Sequence, residues 1–256
     1  MGKRGVGTQV LTCNVTYYNE PHLLLWWFRT IRKLNDSGID IKLSICDDGS
    51  QRLPAEKFFE KHKPLPSMSL YRVKEDIGFN SHGARNLLMK QTKTGWNLLS
   101  DIDRNYSIET LTKLYNGKRT FFRRGNYYSF VHRGVSSINE YVIYAKDFWL
   151  SGGYDEEFVN IHWGDRLFLK SVRQNTKNIV MHDMPIKYVR HARKVMPGDV
   201  ATTQYPDDHT LITPAVGIWA NAETRQKLLK FVQKRNSTHA GRMSKKVINF
   251  EWEQMF

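Results

Sequence analysis

The sequence predicts an α/β protein with a mostly parallel central sheet flanked by helices. Three observations carry that reading. Apolar, β-branched segments alternate with amphipathic helical ones through the first half of the chain, the order a parallel sheet with crossover helices requires. Four of the strand segments run into polar clusters: Asn19-Glu20, Asp47-Asp48, Glu75-Asp76 and Asp101/Asp103. With 40% hydrophobic and 12% aromatic residues in 256, the chain has enough apolar mass for a core and is not a disordered polymer.

The elements follow in order. Residues 9–17 alternate and are rich in β-branched and aromatic side chains, so they form a strand that stops at Asn19-Glu20-Pro21. Leu24, Trp27, Phe28 and Ile31 then recur at helical spacing, and Gly38 closes that helix. Residues 39–46 are a second strand, 55–61 a short helix, 69–73 a third strand and 81–91 a helix. Residues 96–100 are a fourth, apolar strand, followed by a helix over 107–115. The second half is less regular. It reads as a strand at 141–145, short helices at 147–152 and 165–173, and one or two strands within 179–191. Residues 193–214 carry Pro, Gly and Asp and form a loop, and 222–234 form a basic amphipathic helix. No composition break divides the chain, so residues 1–256 read as a single domain.

Lys and Arg number 39 against 25 Asp and Glu, a net charge of +14. Such a surplus points to a polyanionic partner or the face of an anionic membrane, or only to a solvated surface. Two cysteines, Cys13 and Cys46, exclude a disulfide scaffold and a four-Cys zinc site. No apolar run approaches the roughly 18–20 residues of a membrane span. The basic residues 1–7 lead straight into the first strand, so the expectation is a cytoplasmic protein without a secretory signal.

Ligands of open parallel sheets sit beyond the carboxyl ends of the strands, where the four acidic clusters lie. Asp101-Ile102-Asp103 places two carboxylates on one side of an extended segment, because side chains alternate in a strand. A hard divalent cation relieves their repulsion and is commonly shared with substrate phosphates. The alternative is a solvated turn or a helix cap. Asp47-Asp48-Gly49-Ser50 and Asp76 either make turns and helix caps or hydrogen-bond a base or ribose. Arg85, in a helix that opens at Gly83-Ala84, pairs with a phosphate or makes a surface salt bridge.

These residues resemble those of GT-A glycosyltransferases, most of all glycosyltransferase family 2. The resemblance is carried by Tyr17-Tyr18-Asn19-Glu20, Asp47-Asp48-Gly49-Ser50, Asp76 to Asn80 leading to Gly83-Ala84-Arg85-Asn86, and Asp101-Ile102-Asp103. Ser151 to Phe158 and Trp163-Gly164-Asp165 continue it, over roughly residues 8–195. It implies a GT-A, Rossmann-like sheet with a nucleotide-sugar-binding half at about 8–115, an acceptor half at about 116–195 and a basic tail at about 196–256. It implies a nucleotide-sugar donor and Mn²⁺ or Mg²⁺. Glu20, Asp48 and Asp76 would hold the nucleoside, Arg85 would lie near the diphosphate, and Asp101 would approach the ribose or the metal. Asp103 would ligate the metal, with His191 or His182 as a further ligand. Trp163 would stack on the acceptor, and Asp165 matches the base of inverting members, with a helix N-cap as its competing role. Arg166 stands where many members carry a second acidic residue.

The leading function is thus a metal-dependent, inverting sugar transfer to an acceptor hydroxyl on a glycan, a lipid-linked molecule or a nucleic acid, the last including DNA modification. The rival is a non-catalytic nucleic-acid-binding protein on a GT-A-like scaffold, favoured by the charge, by Arg123-Arg124 and by the interleaved aromatics Phe121, Phe122, Tyr127 and Tyr128. A phosphotransferase would share the acidic chemistry, but the chain has no P-loop motif.

Overall fold

A computed structural model describes residues 10–92, 95–132, 135–159, 164–182, 184–188, 230 and 247–256. Strands β1 (Leu11–Tyr17), β2 (Ile41–Asp47), β3 (Met68–Val73) and β4 (Trp96–Asp101) are the parallel heart of the molecule. Helices α1 (Pro21–Asp36), α2 (Ala55–Lys61) and α3 (Ser81–Gln91) connect them. Beyond β4 come β5 (Arg104–Tyr106), α4 (Ile108–Thr120), β6 (Asn126–His132), β7 (Val135–Tyr144) and α5 (Ala145–Leu150). Then follow a 3₁₀ turn at Glu156–Phe158, α6 (Gly164–Asn175), β8 (Lys177–Met181), β9 (Ile186–Tyr188) and β10 (Trp252–Gln254). The main sheet runs β10-β3-β2-β1-β4-β7-β6-β8, and β5 pairs with β9 apart from it. β7 lies antiparallel to β4, and β10 antiparallel to β3.

Both faces of the sheet are covered, which explains the apolar strands. On one face Leu11, Cys13 and Val15 of β1 and Leu43 and Ile45 of β2 pack with Leu24, Trp27, Phe28 and Ile31 of α1 and with Phe58 and Phe59 of α2. These are the α1 positions picked out by helical spacing. On the other face Leu99, Tyr141 and Ile143 meet Met89, Phe148 and Phe168. Cys46, Tyr71 and Val73 meet Ala84, Leu87 and Leu88 of α3.

The expected elements of the first half are present with shifts of a residue or two, but three strands were not expected. Residues 127, 128 and 130 of β6 are all buried, so no alternation marks that strand. β5 and β10 are three residues long, too short to show a period. β7 begins at Val135 rather than 141, and α4 continues to Thr120 through a segment with few apolar residues. Of the 222–234 helix, the described residues include only Lys230. The 193–214 loop lies outside them, as do His191 and Trp163. Among the described residues no helix is long and apolar enough to cross a membrane.

The C-terminal segment pairs with β3 through β10, and one carboxylate holds the residues just before it. Glu156 Oε1 accepts from Ile248 N at 2.7 Å and from Asn86 Nδ2 at 2.8 Å, and Oε2 accepts from Asn249 N at 3.1 Å. Ile248 has φ 61, a conformation a β-branched residue adopts only when its surroundings hold it there. Glu156→Ala should therefore cost roughly 1–3 kcal/mol in denaturant unfolding, since it removes the acceptor of the buried Asn86 amide and of two backbone N–H groups of the C-terminal segment. A loss under about 0.5 kcal/mol would show that the clamp does not hold the segment.

Candidate active site

The carboxyl ends of β1 to β4 form one edge, and its loops are tied to each other. Asn19, with φ 50, turns the chain after β1. Its N–H donates to Ser50 Oγ at 2.9 Å and its Oδ1 accepts from Leu53 N at 2.8 Å, which joins the first two strand ends. Gly49 has φ 79, and a Cβ there would lie 2.8 Å from Glu75 O. Only glycine lets the loop after β2 lie against the loop after β3.

Adjacent carboxylates take different roles here. Asp47 is spent on structure: Oδ1 accepts from Ser50 N at 2.8 Å and Oδ2 from Ala55 N at 2.7 Å, at the start of α2. Asp48 Oδ2 accepts from Asn80 N at 2.9 Å, but buried Oδ1 has no hydrogen bond. Burial, then the neighbouring charges of Asp47 and Asp76, pushes its carboxyl up to about 8. Asp76 accepts from the Tyr18 hydroxyl at 2.7 Å and from Gly78 N at 2.9 Å. Glu20 faces His22 Nδ1 at 3.1 Å in the first turn of α1.

Arg85 is an interior residue rather than a surface one. It sits one turn into α3, which starts at Ser81 rather than Gly83, and its side chain is 2% exposed. It makes no surface salt bridge, and its charge is already committed. Nη2 is paired with Asp101 Oδ1, and Nη1 lies 2.5 Å from Asp165 Oδ1 and 3.3 Å from the Tyr154 hydroxyl. The guanidinium thus holds the end of β4 to the first turn of α6. Burial works to raise the Asp165 carboxyl, but the charge of the Arg85 guanidinium outweighs it and holds it well below the usual carboxylate range. Asp165 follows the first residue of its helix, so it is not the N-cap.

The D-x-D is not one extended segment. β4 stops at Asp101 and the chain turns at Ile102, whose carbonyl accepts from Trp27 Nε1 at 3.0 Å. Asp101 Oδ2 accepts from Asn139 Nδ2 at 2.9 Å. Asp103 Oδ1 lies 3.8 Å from Arg104 Nε, which donates to Glu140 Oε1 at 2.7 Å. Burial and the nearby Asp101 push Glu140 up to about 7. Neighbouring residues of β7 therefore orient the two acids. Among the described residues no three His, Cys, Asp or Glu side chains are grouped to hold a metal. His182 is exposed beyond β8.

His82, Asn139, Glu140 and Tyr154 were not foreseen. His82 stands three residues before Arg85, a helical spacing that puts both on one face, and that was the available signal. Asn139 and Glu140 gave none, since pairing between distant strands brings them to the D-x-D. Together the edge gathers buried side-chain atoms without hydrogen bonds: Asp48 Oδ1, Asn80 Oδ1 and Nδ2, His82 Nδ1 and Nε2, Arg85 Nε and Asn139 Oδ1. Buried polar atoms are rarely left so, and a polar ligand would complete them.

Solved structures share the architecture. TarS of S. aureus aligns with a TM-score of 0.57 at 16% identity, over 89% of this chain and 44% of that one. A structure of TarS 1–349 with UDP-GlcNAc gives 0.53 at 17% identity, over 89% and 73%. This chain has the GT-A fold. The mannosyltransferase PcManGT of Pyrobaculum calidifontis, in complex with GDP-Man and Mn²⁺, shares it with a TM-score of 0.52 at 15% identity, over 74% and 59%. The chain spans less than half the length of the first TarS chain and about three fifths of the mannosyltransferase. No protein-family model matches it, and no curated protein matches it by sequence.

Two stability measurements check the electrostatics of this GT-A edge. Arg85→Gln should cost about 3–5 kcal/mol at pH 7, because it leaves two carboxylates without their cation. The depressed Asp165 contributes stability that is present above the unfolded carboxylate value of about 3.9 and is lost as pH falls through the folded value. The wild-type advantage over Arg85→Gln should therefore shrink below about pH 4, and a pH-independent difference would refute the pairing. Asp48 has the opposite sign. Its raised folded value means its contribution is full below about pH 3.9 and is lost as pH rises through about 8. Asp48→Asn should gain on wild type across that interval, and parallel stability curves would rule the assignment out.

Proposed function

We propose that this protein transfers a sugar from a nucleotide-sugar donor to an acceptor hydroxyl, with inversion at the anomeric carbon. The supporting observation is the row of buried, unpaired polar atoms along the carboxyl edge of a GT-A sheet. Asp48, with a free Oδ1 and a carboxyl that holds its proton at neutral pH, suits a nucleobase that offers both donors and acceptors. Asp76 and Glu20 complete the nucleoside side. Asp165 accepts the acceptor proton as that oxygen attacks, and Arg85 keeps it ionised for the purpose. Arg85 acts on the diphosphate only through the carboxylates it holds. Trp163 and the 116–195 half belong to the acceptor side of this reading, and residues 8–115 to the donor side.

The donor set fits a hard divalent ion. Asp101 and Asp103 offer carboxylate oxygens, and such ions bind through one or two carboxylates plus substrate phosphates. Asp101 already spends its oxygens on Arg85 and Asn139, so Asp103 is the principal holder, with His191 as the third ligand in this proposal. Mn²⁺ or Mg²⁺ held there would neutralise charge on the departing diphosphate. PcManGT was solved in complex with GDP-Man and Mn²⁺. The surplus of positive charge suits an anionic acceptor, and a glycan or lipid-linked acceptor, with peripheral contact to an anionic membrane, is the reading we adopt. Free, buried Cys13 and Cys46 suit a reducing compartment such as the cytoplasm.

Thermal-shift measurements with UDP-GlcNAc and GDP-Man, each with and without Mn²⁺, test the proposal, because a bound donor stabilises the fold by mass action. Asp103→Ala should abolish the Mn²⁺-dependent part of the shift and leave the unliganded melting temperature unchanged. Asp165→Asn should bind donor as wild type does and lower kcat at least about 10²-fold. Near-normal turnover by Asp103→Ala at saturating metal would refute the assignment, and a retained anomeric configuration would exclude Asp165 as a simple inverting base.

A further inference from the structure

Asp165 is an awkward proton acceptor as it stands. Its Oδ1 is tied to Arg85, and the guanidinium that keeps it ionised also weakens it as a base. Its other oxygen, Oδ2, faces His82 Nε2 at 3.7 Å. His82 is 2% exposed, and both its ring nitrogens are buried without a hydrogen bond. An imidazole with neither nitrogen satisfied forfeits hydrogen-bond energy, so its position calls for a reason. Its packing is specific. The ring lies 5.1 Å from the Tyr154 ring and 6.2 Å from the Phe158 ring. A Cβ on Gly164 would stand 2.7 Å from Cε1 and Nε2, so the residue before Asp165 has to be glycine for the imidazole to reach the carboxylate.

We propose that His82 is a positioning residue for Asp165 that also holds the proton taken from the acceptor. The inference rests on the glycosyl-transfer reading and adds a residue to its base. The acceptor oxygen bonds to the anomeric carbon as the bond from that carbon to the diphosphate oxygen breaks, and that electron pair leaves with the diphosphate. The acceptor proton passes to Asp165 Oδ2 and on to His82 Nε2. The site ends with an imidazolium and a guanidinium on either side of one carboxylate. Imidazole is the side chain suited to carrying a proton near neutral pH, and a carboxylate clamped by arginine is not. Asp165 thus provides the contact with the acceptor, and His82 provides the basicity.

The test compares wild type, His82→Gln and His82→Ala. Release of nucleoside diphosphate from UDP-GlcNAc and GDP-Man is followed with Mn²⁺, with water as acceptor, beside thermal shifts by the same donors. Both variants should give wild-type shifts and turn over at least about 10²-fold more slowly. Added imidazole should partly restore His82→Ala and leave His82→Gln unchanged. Glutamine can hydrogen-bond Asp165 but cannot store a proton, so His82→Gln at near wild-type rate overturns the proposal. So does a folded His82→Ala that imidazole does not rescue. If His82→Ala fails to fold, His82→Gln decides alone. A wild-type protein that shows neither shift nor turnover with any donor refutes the transfer reading itself, and the inference falls with it.

Discussion

The site depends on one buried cation. Arg85 is removed from water and shared between Asp101 and Asp165, which lie 64 residues apart in sequence and on different elements. Desolvating a guanidinium is expensive, and the expense is tolerable only where carboxylates and hydrogen bonds surround it. Here two carboxylates and the Tyr154 hydroxyl do so, and Tyr154 in turn shares a hydrogen bond of 2.7 Å with Tyr141 of β7. If any of these moved, Arg85 would be left with unmatched charge. The end of β4 and the start of α6 are therefore tied to each other directly, through Arg85.

β7 gives that relation a second support. As the antiparallel neighbour of β4, it presents Asn139 to Asp101 and Glu140 to the Arg104 beside Asp103. Each acid of the D-x-D is thus oriented from the next strand, as second-layer residues orient metal ligands. The turn at Ile102, fixed by the Trp27 indole, separates the two acids in direction. A strictly extended D-x-D would point both carboxylates to one side, whereas this one lets Asp101 serve the Arg85 pair while Asp103 stays beside Arg104.

How much of this the sequence showed follows from the range of each interaction. β1 to β4 and α1 to α3 were legible because their apolar periodicity is local, and the acidic strand ends because a parallel sheet puts them on one edge. Asp48, Asp76, Asp101 and Asp103 could be named for the same reason, Arg85 because it opens a helix after a polar loop, and Asp165 only through the family resemblance. What each does was not legible. Arg85 read as a phosphate ligand or surface residue because nothing local shows that a carboxylate 80 positions later lies 2.5 Å away. Asn139 and Glu140 stand in a strand that was foreseen only from 141 onward. His82 is one polar residue at a helix start, and its meaning comes from Gly164 and Asp165, which only the tertiary fold brings near.

The charge balance at this edge bears on the proposed metal, even in a chain with a net charge of +14. Asp101 and Asp165 share Arg85, and Asp103 and Glu140 share Arg104, so these six groups together carry two negative charges when all are ionised. Exposed charges more than about 10 Å away would be screened from this group. A diphosphate entering that field meets repulsion at short range, where the low polarisability of the interior strengthens it. One divalent ion at Asp103 would cancel the deficit. Glu140 shows the same crowding: burial, and then the neighbouring charge of Asp101, push its carboxyl up to about 7.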